Sequence, residues 1–319
     1  MDRSPLSFFG LQGSRELAER VARRLEIPLA AHEEREFEDG EHKARALHDV
    51  RGHHAFVLHS LHGDDQQSGN DKLCRLLFFC GSLKDSGAEH VTAVVPYLCY
   101  ARKDRRTKPN DPIITRYVAA MFEAARIDRV IVMEVHNVAA FENAFRCPTR
   151  HIESAPLLAR HFAPLLGPAQ VVAVSPDAGG AKRAEQFRQA LGQLTAREVG
   201  SAYMEKFRSS GVVSGELLAG DVRGKVAVIV DDLISTGGTL VRAAKACRAA
   251  GATRVFAAAA HGLFIDGAPE LFAAGLDGIV VTDTVPPFRV PAEAAAHQLE
   301  VVDTSDMIAR TIAACHDAG

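Results

Sequence analysis

Two carboxylates, Asp231 and Asp232, stand side by side at the end of the apolar run that begins at Lys225, and a hydroxyl- and glycine-rich stretch, Ser235-Thr236-Gly237-Gly238-Thr239, follows them almost at once. A buried strand that runs into two acids and then into such a loop suits a sugar phosphate. Glycine backbones adopt angles closed to other residues, hydroxyls donate hydrogen bonds, and the unpaired N–H groups at the start of a following helix favour an anion. The acids would accept from ribose hydroxyls while the loop holds a 5′-phosphate. The bland alternative is a strand ending in solvated Asp residues before a capped helix. Two adjacent acids together with the whole Ser-Thr-Gly-Gly-Thr loop favour the ligand. The stretch is not a Walker loop, because Gly-Lys-[Ser/Thr] is missing, and it has no G-x-G-x-x-G.

Other residues invite chemistry singly. Arg102, Lys103, Arg105, Arg106 and Lys108 gather positive charge around Asp104 directly after a strand. Such a cluster can be an exposed basic patch or a nucleic-acid contact, but the C-terminal end of a strand in an α/β sheet is where ligands bind, which favours a nucleotide triphosphate. His136 also follows a strand, as a structural imidazole, a donor to phosphate or a metal ligand. Asp177 precedes Gly179-Gly180 and a helix, as a cap or as the carboxylate of a hard cation. Lys206 and Arg208 lie in AYMEKFRSSG (202–211), whose alternation predicts a strand running out into a mobile loop. Taken alone, they are two solvated charges.

These residues need a scaffold, and the chain supplies a repeating one. Short β-branched runs alternate with segments of helical period: AFVLHS (55–60), NDKLCRLLFFCGSLKDSG (70–87) and HVTAVVPY (90–97), then RYVAAMFEAAR with DRVIVMEVH, VVAVS with GGAKRAEQFRQALG, and KVAVIVDD with GGTLVRAAKACRAAG. This βαβ signature predicts open, mostly parallel sheets flanked by helices. SGAEHVTAVV (86–95) and AGATRVFAAA (250–259) form a faint internal repeat, which duplication or chance can explain. The length of 319 residues suggests two domains, and a Pro-rich interruption near Cys147-Pro148 sets the boundary near residue 150, giving domains 1–150 and 151–319. Lys+Arg 37 against Asp+Glu 40 leaves no dominating charge, so wholesale nucleic-acid binding is not expected. No apolar stretch is long enough to span a membrane, the N-terminus MDRSPLSFFG does not read as a signal peptide, and the six cysteines form no Cys-x-x-Cys pair. A reducing cytoplasm is the expected location.

The 231–239 loop is the hallmark of the phosphoribosyltransferase fold, and further segments make nearly the whole chain resemble the ribose-phosphate pyrophosphokinase family. Phe37-Glu38-Asp39-Gly40-Glu41 is similar to the family's F-x-D-G-E, which there reaches a neighbouring subunit's ATP. Tyr97 to Arg106 resembles its Y-x-x-Y-A-R-Q-D-[RK]-[RK], Met133-Glu134-Val135-His136 its strand ending in D-L-H, and Ser175-Pro176-Asp177-Ala178-Gly179-Gly180 its S-P-D-x-G-G. The resemblance implies two tandem phosphoribosyltransferase-like domains and transfer of a diphosphoryl group from Mg-ATP to the C1 hydroxyl of ribose 5-phosphate, with AMP leaving. It implies an ATP site of Phe37, Asp39, Gly40, Glu41, Arg102, Lys103, Asp104, Arg105 and His136. It implies a ribose 5-phosphate site of Asp177, Arg208, Asp231, Asp232, Ser235, Thr236, Gly237, Gly238 and Thr239. Lys206, Arg208 and His136 would be catalytic, with Mg²⁺ at His136 and Asp177. A homo-oligomer, dimer or hexamer, is implied as well.

Several positions depart from the family pattern. Lys103 replaces Gln, Glu134 replaces the Asp before His136, and Ser235 replaces an Asp, which opens the site to a larger or more anionic acceptor than ribose 5-phosphate. Asp49, Arg51 and Gly87 stand near Ser positions of the family's phosphate and ADP regulatory site, which argues against that control. A phosphoribosyltransferase would share residues 231–239 but needs no ATP loop. A non-catalytic regulatory homologue is opposed by the retention of His136, Asp177, Asp231 and Asp232.

Overall fold

The computed structural model describes residues 4–209 and 212–317, without the side chains of residues 206–216. The chain divides into two compact units, Met1–Ile152 with Thr304–Gly319, and Glu153–Asp303.

Unit 1 contains, in order, β1 (Leu6–Gly10), α1 (Arg15–Leu25), β2 (His32–Glu36), β3 (His42–Ala46), β4 (His54–Leu58), α2 (Gly69–Asp85), β5 (His90–Val95), α3 (Ile114–Ala124), β6 (Arg129–Met133), α4 (Val138–Ala144) and β7 (Thr149–Ile152). The strands β1-β4-β5-β6-β7 pair in parallel in that spatial order, while β2 and β3 form a separate antiparallel hairpin. Because side chains alternate along a strand, Ala55, Val57, Val91, Ala93, Val130 and Val132 join the core that includes Leu73, Leu76 and Phe79 of α2 and Phe122 of α3. Phe8, Phe56, Val94 and Ile131, one position out of phase, are buried too. A sheet apolar on both faces requires helices on both, which is why its strands read as continuous apolar runs.

Unit 2 contains α5 (Ala155–Leu166), β8 (Val171–Ser175), α6 (Ala181–Thr195), β9 (Gly200–Ser209), β10 (Val212–Ala219), β11 (Val226–Ile234), α7 (Gly238–Ala249), β12 (Arg254–Gly262), α8 (Pro269–Phe272), β13 (Gly278–Thr282), α9 (Ala292–Gln298) and β14 (Leu299–Val302). Its sheet order is β10-β9-β8-β11-β12-β13-β14, parallel except for the antiparallel β9–β10 pair. In β11 the phase splits cleanly. Val226, Val228 and Val230 pack with Phe162 and Phe187 of α5 and α6, whereas Ala227 and Ile229 pack with Leu240 and Ala244 of α7.

The final helix, α10 (Ser305–Asp317), corrects the expected division at 151–319, for it belongs to unit 1. It buries Ile308, Ala309, Ile312 and Cys315, packs on α1, and its Cys315 carbonyl accepts from Arg129 Nη1 of β6 at 2.9 Å. An amphipathic pattern states that a helix covers a sheet but not which sheet. Among the described residues no helix is long and apolar enough to cross a membrane.

The faint repeat has a structural counterpart. Gly87 and Gly251 both follow a helix with positive φ, at 90° and 91°. Three residues earlier stand Lys84 and Arg248, which pair with Asp128 and Asp277. Those acids accept in turn from the backbone N–H of Val91 at 2.7 Å and Val255 at 2.6 Å, each four residues after its glycine. A basic residue, lysine in one and arginine in the other, a left-handed glycine and a strand-bridging Asp thus close the α2–β5 connection in unit 1 and the α7–β12 connection in unit 2.

Candidate active site

In unit 2, β11 continues past its apolar run into Asp231 and Asp232, and Asp232 is only 4% exposed. Asp231 Oδ1 accepts from the backbone N–H of Asp232 at 2.8 Å. Burial, then the hydrogen bond and negative charge of Asp232, push the Asp231 carboxyl well above the ordinary value, against the opposing pull of Arg183. Arg183 of α6, 8% exposed, places Nη1 at 3.7 Å from Oδ1 of each acid. Sequence reasoning passed over this residue. Its signal was a cation within the first turn of the helix that follows Gly179-Gly180.

The loop beyond is held from behind. The Ser235 carbonyl accepts from Ile265 N–H at 3.0 Å, and Gly237 starts α7 with φ of 82°. A Cβ on Gly237 would stand 2.8 Å from Leu271 Cβ, so both conformation and space demand glycine. Gly237 also has no side chain to cap the helix, which leaves the N–H groups of the first turn for an anion. Thr236 is exposed, and Ser235, Gly238 and Thr239 are partly so. Hydroxyls and N–H donors therefore converge beyond the two acids on one strand end.

The Asp177 turn lies between β8 and α6. Ser175 Oγ donates to the Asp177 carbonyl at 2.6 Å, and Asp177 Oδ1 accepts from Gly180 N–H at 3.0 Å. Its Oδ2 has no hydrogen bond among the described residues. The same described residues hold no group of three or more His, Cys, Asp or Glu able to bind a metal. Mg²⁺ does not require one, since it keeps several waters and binds through one or two carboxylates plus substrate phosphates. The open oxygen of Asp177 fits that chemistry.

In unit 1, the segment after β5 folds back at Tyr100, whose φ is 62°, with Lys103 N–H donating to the Tyr100 carbonyl at 3.1 Å. Further on, Asp111 Oδ2 accepts from Thr107 Oγ1 at 2.6 Å and Lys108 N–H at 2.9 Å, and these bonds, that of the Thr107 hydroxyl foremost, lower its pKa. Between these anchors Arg102, Lys103 and Arg105 are exposed, and none forms an ion pair among the described residues. Asp104 Oδ2 accepts from Asn137 Nδ2 at 2.7 Å, while Asn137 Oδ1 caps α4 by accepting from Ala140 N–H at 3.2 Å. Asn137 thereby ties the cationic loop to the segment that carries His136, and it too was missed. Its signal was a capping-type residue just after the strand-end histidine. Glu134 is buried with φ of 40°, Val135 N–H donates to His151 Nε2 at 3.2 Å, and His136 is exposed.

Phe37–Glu41 forms the turn of the β2–β3 hairpin. Phe37 N–H donates to the Glu41 carbonyl at 2.8 Å, Glu41 N–H to Asp39 Oδ1 at 3.1 Å, and Gly40 N–H to the Phe37 carbonyl at 3.1 Å. The Phe37 ring, 41% exposed, lies 5.1 Å beneath the Arg35 guanidinium. Asp49 and Arg51 pair with each other at 2.6 Å, which holds the Asp49 carboxyl down to about 2, and the Arg51 stem packs where a side chain on Gly87 would stand.

Lys206 and Arg208 lie on β9, opposite Glu216 and Val213 of β10. The expected strand is present and pairs antiparallel with β10 from Val212, while residues 210–211, where the sequence predicts a mobile loop, lie outside the described residues. Their side chains fall outside the described residues. The candidate residues form two sets: Phe37–Glu41, Arg102–Arg105 and His136 on unit 1, and Asp177, Arg183 and 231–239 with Lys206 and Arg208 on unit 2.

Two mostly parallel sheets, one in each unit, with twin acids and a glycine- and hydroxyl-rich turn at one strand end of unit 2, define a protein of the phosphoribosyltransferase-like class. Residues 6–125 match the N-terminal domain of ribose phosphate pyrophosphokinase, residues 148–266 the phosphoribosyl transferase domain, and residues 214–319 the phosphoribosyl synthetase-associated domain. The chain is 34% identical over 320 residues to ribose-phosphate pyrophosphokinase 1 of Streptococcus pyogenes serotype M1, covering 99% of this chain and 96% of that protein. The corresponding protein of Streptococcus pneumoniae serotype 4 is 33% identical over the same coverage. The crystal structure of phosphoribosylpyrophosphate synthetase from Mycobacterium smegmatis superposes with a TM-score of 0.88 at 32% identity, covering 99% of this chain and 100% of that one. The chain belongs to the ribose-phosphate pyrophosphokinase family.

Proposed function

We propose that this protein is a ribose-phosphate diphosphokinase, which transfers the β,γ-diphosphoryl group of Mg-ATP to the C1 hydroxyl of ribose 5-phosphate. The observation that carries the reading is the run from Asp231 to Thr239, a partly buried and a buried acid followed by an uncapped helix start lined with hydroxyls, in a chain whose cationic loop beside His136 forms no ion pair through Arg102, Lys103 or Arg105 among the described residues. The C1 oxygen attacks the β-phosphorus, the bond from that phosphorus to the bridging oxygen of the α-phosphate breaks, AMP leaves, and the hydroxyl proton is released. Such transfer asks little covalent chemistry of the protein and depends on alignment and charge compensation.

In this assignment Asp231 and Asp232 accept from the ribose hydroxyls, and Ser235, Thr236, Gly237, Gly238 and Thr239 hold the 5′-phosphate. Arg102, Lys103 and Arg105 grip the triphosphate with His136, Asp104 orients the loop through Asn137, and Phe37, Asp39, Gly40 and Glu41 receive the adenine from a neighbouring copy of the chain. Lys206 and Arg208 compensate charge on the transferring group. Asp177 and His136 would hold Mg²⁺, which when bound supplies neutralisation of the phosphate oxygens.

Ser235, standing where the family has an acid, supports a second acceptor: a ribose phosphate that carries additional negative charge. Incubation with Mg-ATP and ribose 5-phosphate, followed by phosphorus NMR, separates these readings. AMP with a 1-diphosphorylated pentose supports the first. AMP formed only with a different phosphorylated pentose moves the assignment to the second, and ATP binding without turnover for any acceptor refutes both in favour of a regulatory homologue.

A further inference from the structure

The acid pair on β11 has a buried cationic companion. Arg183 stands one turn into α6, a helix that begins at the Asp177 turn and packs on β8 and β11. The helix start is pressed tightly to the strand end, since a Cβ on Gly180 would meet Ser175 Oγ at 2.8 Å. One rigid element therefore carries the Asp177 turn at its beginning and the guanidinium at 3.7 Å from both acids. Burying a guanidinium is costly, and packing alone would be served as well by an apolar side chain of similar volume. What an arginine adds is a planar fork with five donors that can face two carboxylates at once. Two adjacent acids repel, and the cation opposes the proton uptake that burial and that repulsion favour.

We propose that Arg183 is a positioning residue of the sugar-phosphate site, holding Asp231 and Asp232 as an oriented pair of acceptors for the ribose hydroxyls and coupling that pair to the Asp177 turn. This rests on the assignment of unit 2 as the ribose-phosphate site. Arg183 itself touches no reacting atom, so its loss should weaken acceptor binding more than nucleotide binding.

The test uses the full chain with Arg183→Lys and Arg183→Met, measuring AMP release against each substrate, calorimetric binding of ribose 5-phosphate, and thermal melting. The Met variant is expected to raise the KM for ribose 5-phosphate by about 10- to 100-fold, the scale of a reacting group misplaced by about 1 Å. The Lys variant, which keeps the charge but not the fork, should raise it less, and the KM for ATP should hold in both. Parental KM for ribose 5-phosphate in both variants overturns the proposal, as does an equal rise in the two KM values. If the Met variant does not fold, the KM split in the Lys variant decides. A parental protein that neither binds nor converts ribose 5-phosphate refutes the underlying assignment, and the role of Arg183 falls with it; an active parent with unchanged variants refutes the role of Arg183 alone.

Discussion

Replacing Gly237 by Ala tests the proposed phosphate-binding turn most directly, and the structure sets the size of the effect. At φ of 82°, an L side chain costs about 1–2 kcal/mol from the contact of Cβ with the backbone. The new Cβ would also stand 2.8 Å from Leu271 Cβ, and overpacking of that kind costs about 1–3 kcal/mol. The two together amount to about 2–5 kcal/mol. At about 2–4 °C per kcal/mol for a unit of this size, the melting temperature should fall by at least about 4 °C. If the loop moves to relieve the clash, the donors of Gly238 and Thr239 lose their aim, and a displacement near 1 Å is worth about 100-fold in rate. Calorimetric titration with ribose 5-phosphate and scanning calorimetry on the same samples read both consequences. A Gly237→Ala protein that melts and binds like the parent would refute the claim that this turn is closed to a side chain and cradles the phosphate.

Lys206→Ala should lower turnover by about 100- to 1000-fold, the usual cost of a lost charge-stabilising donor, with an unchanged circular dichroism spectrum; parental initial rates would remove Lys206 from the catalytic set. The folded-state pKa of Asp231 is raised above its ordinary value, to about 8, so the stability it contributes is complete below about pH 3.8 and is lost as pH rises toward 8. Melting curves of the ligand-free protein should show that decline, and Asp231→Asn should flatten it; an undiminished slope would assign the titration elsewhere. His54 behaves oppositely. Stacked on Phe56 at 4.1 Å and bonded to Thr92 Oγ1 at 2.9 Å, it is lowered to about 4 by burial and then by His90, His316 and Arg129, with Asp128 opposing. Its stability contribution is present above about pH 6.5 and lost as pH falls toward 4, and His54→Phe should reduce that acid slope in scanning calorimetry.

The sheets and the 231–239 turn were legible because their signals are local: alternating apolar runs, helical periods and a glycine where no other residue fits. The twin acids announced themselves by adjacency. What stayed hidden depends on contacts between distant segments. Arg183 reads as one more helical cation until α6 is laid against β11, and Asn137 as an ordinary cap until Asp104 is brought to its free amide. The alternation across 202–208 predicts a strand correctly, yet nothing in it announces that pairing resumes at Val212 in the opposite direction. The family motifs named candidate residues for both substrates, but spacing along a chain does not orient a side chain, and the roles of Lys206 and Arg208 rest on resemblance rather than on geometry.

The return of α10 to unit 1 has a consequence for biosynthesis. Everything from Glu153 to Asp303 is an insertion between the strand β7 and the helix that completes the first unit. At ribosomal rates of about 5–20 residues per second, the apolar side of α1 against which α10 packs waits about 8–30 s for its cover while the 151 intervening residues are made. Unit 2 can condense in that interval, but unit 1 finishes only after it, so the order of completion runs opposite to the order of synthesis.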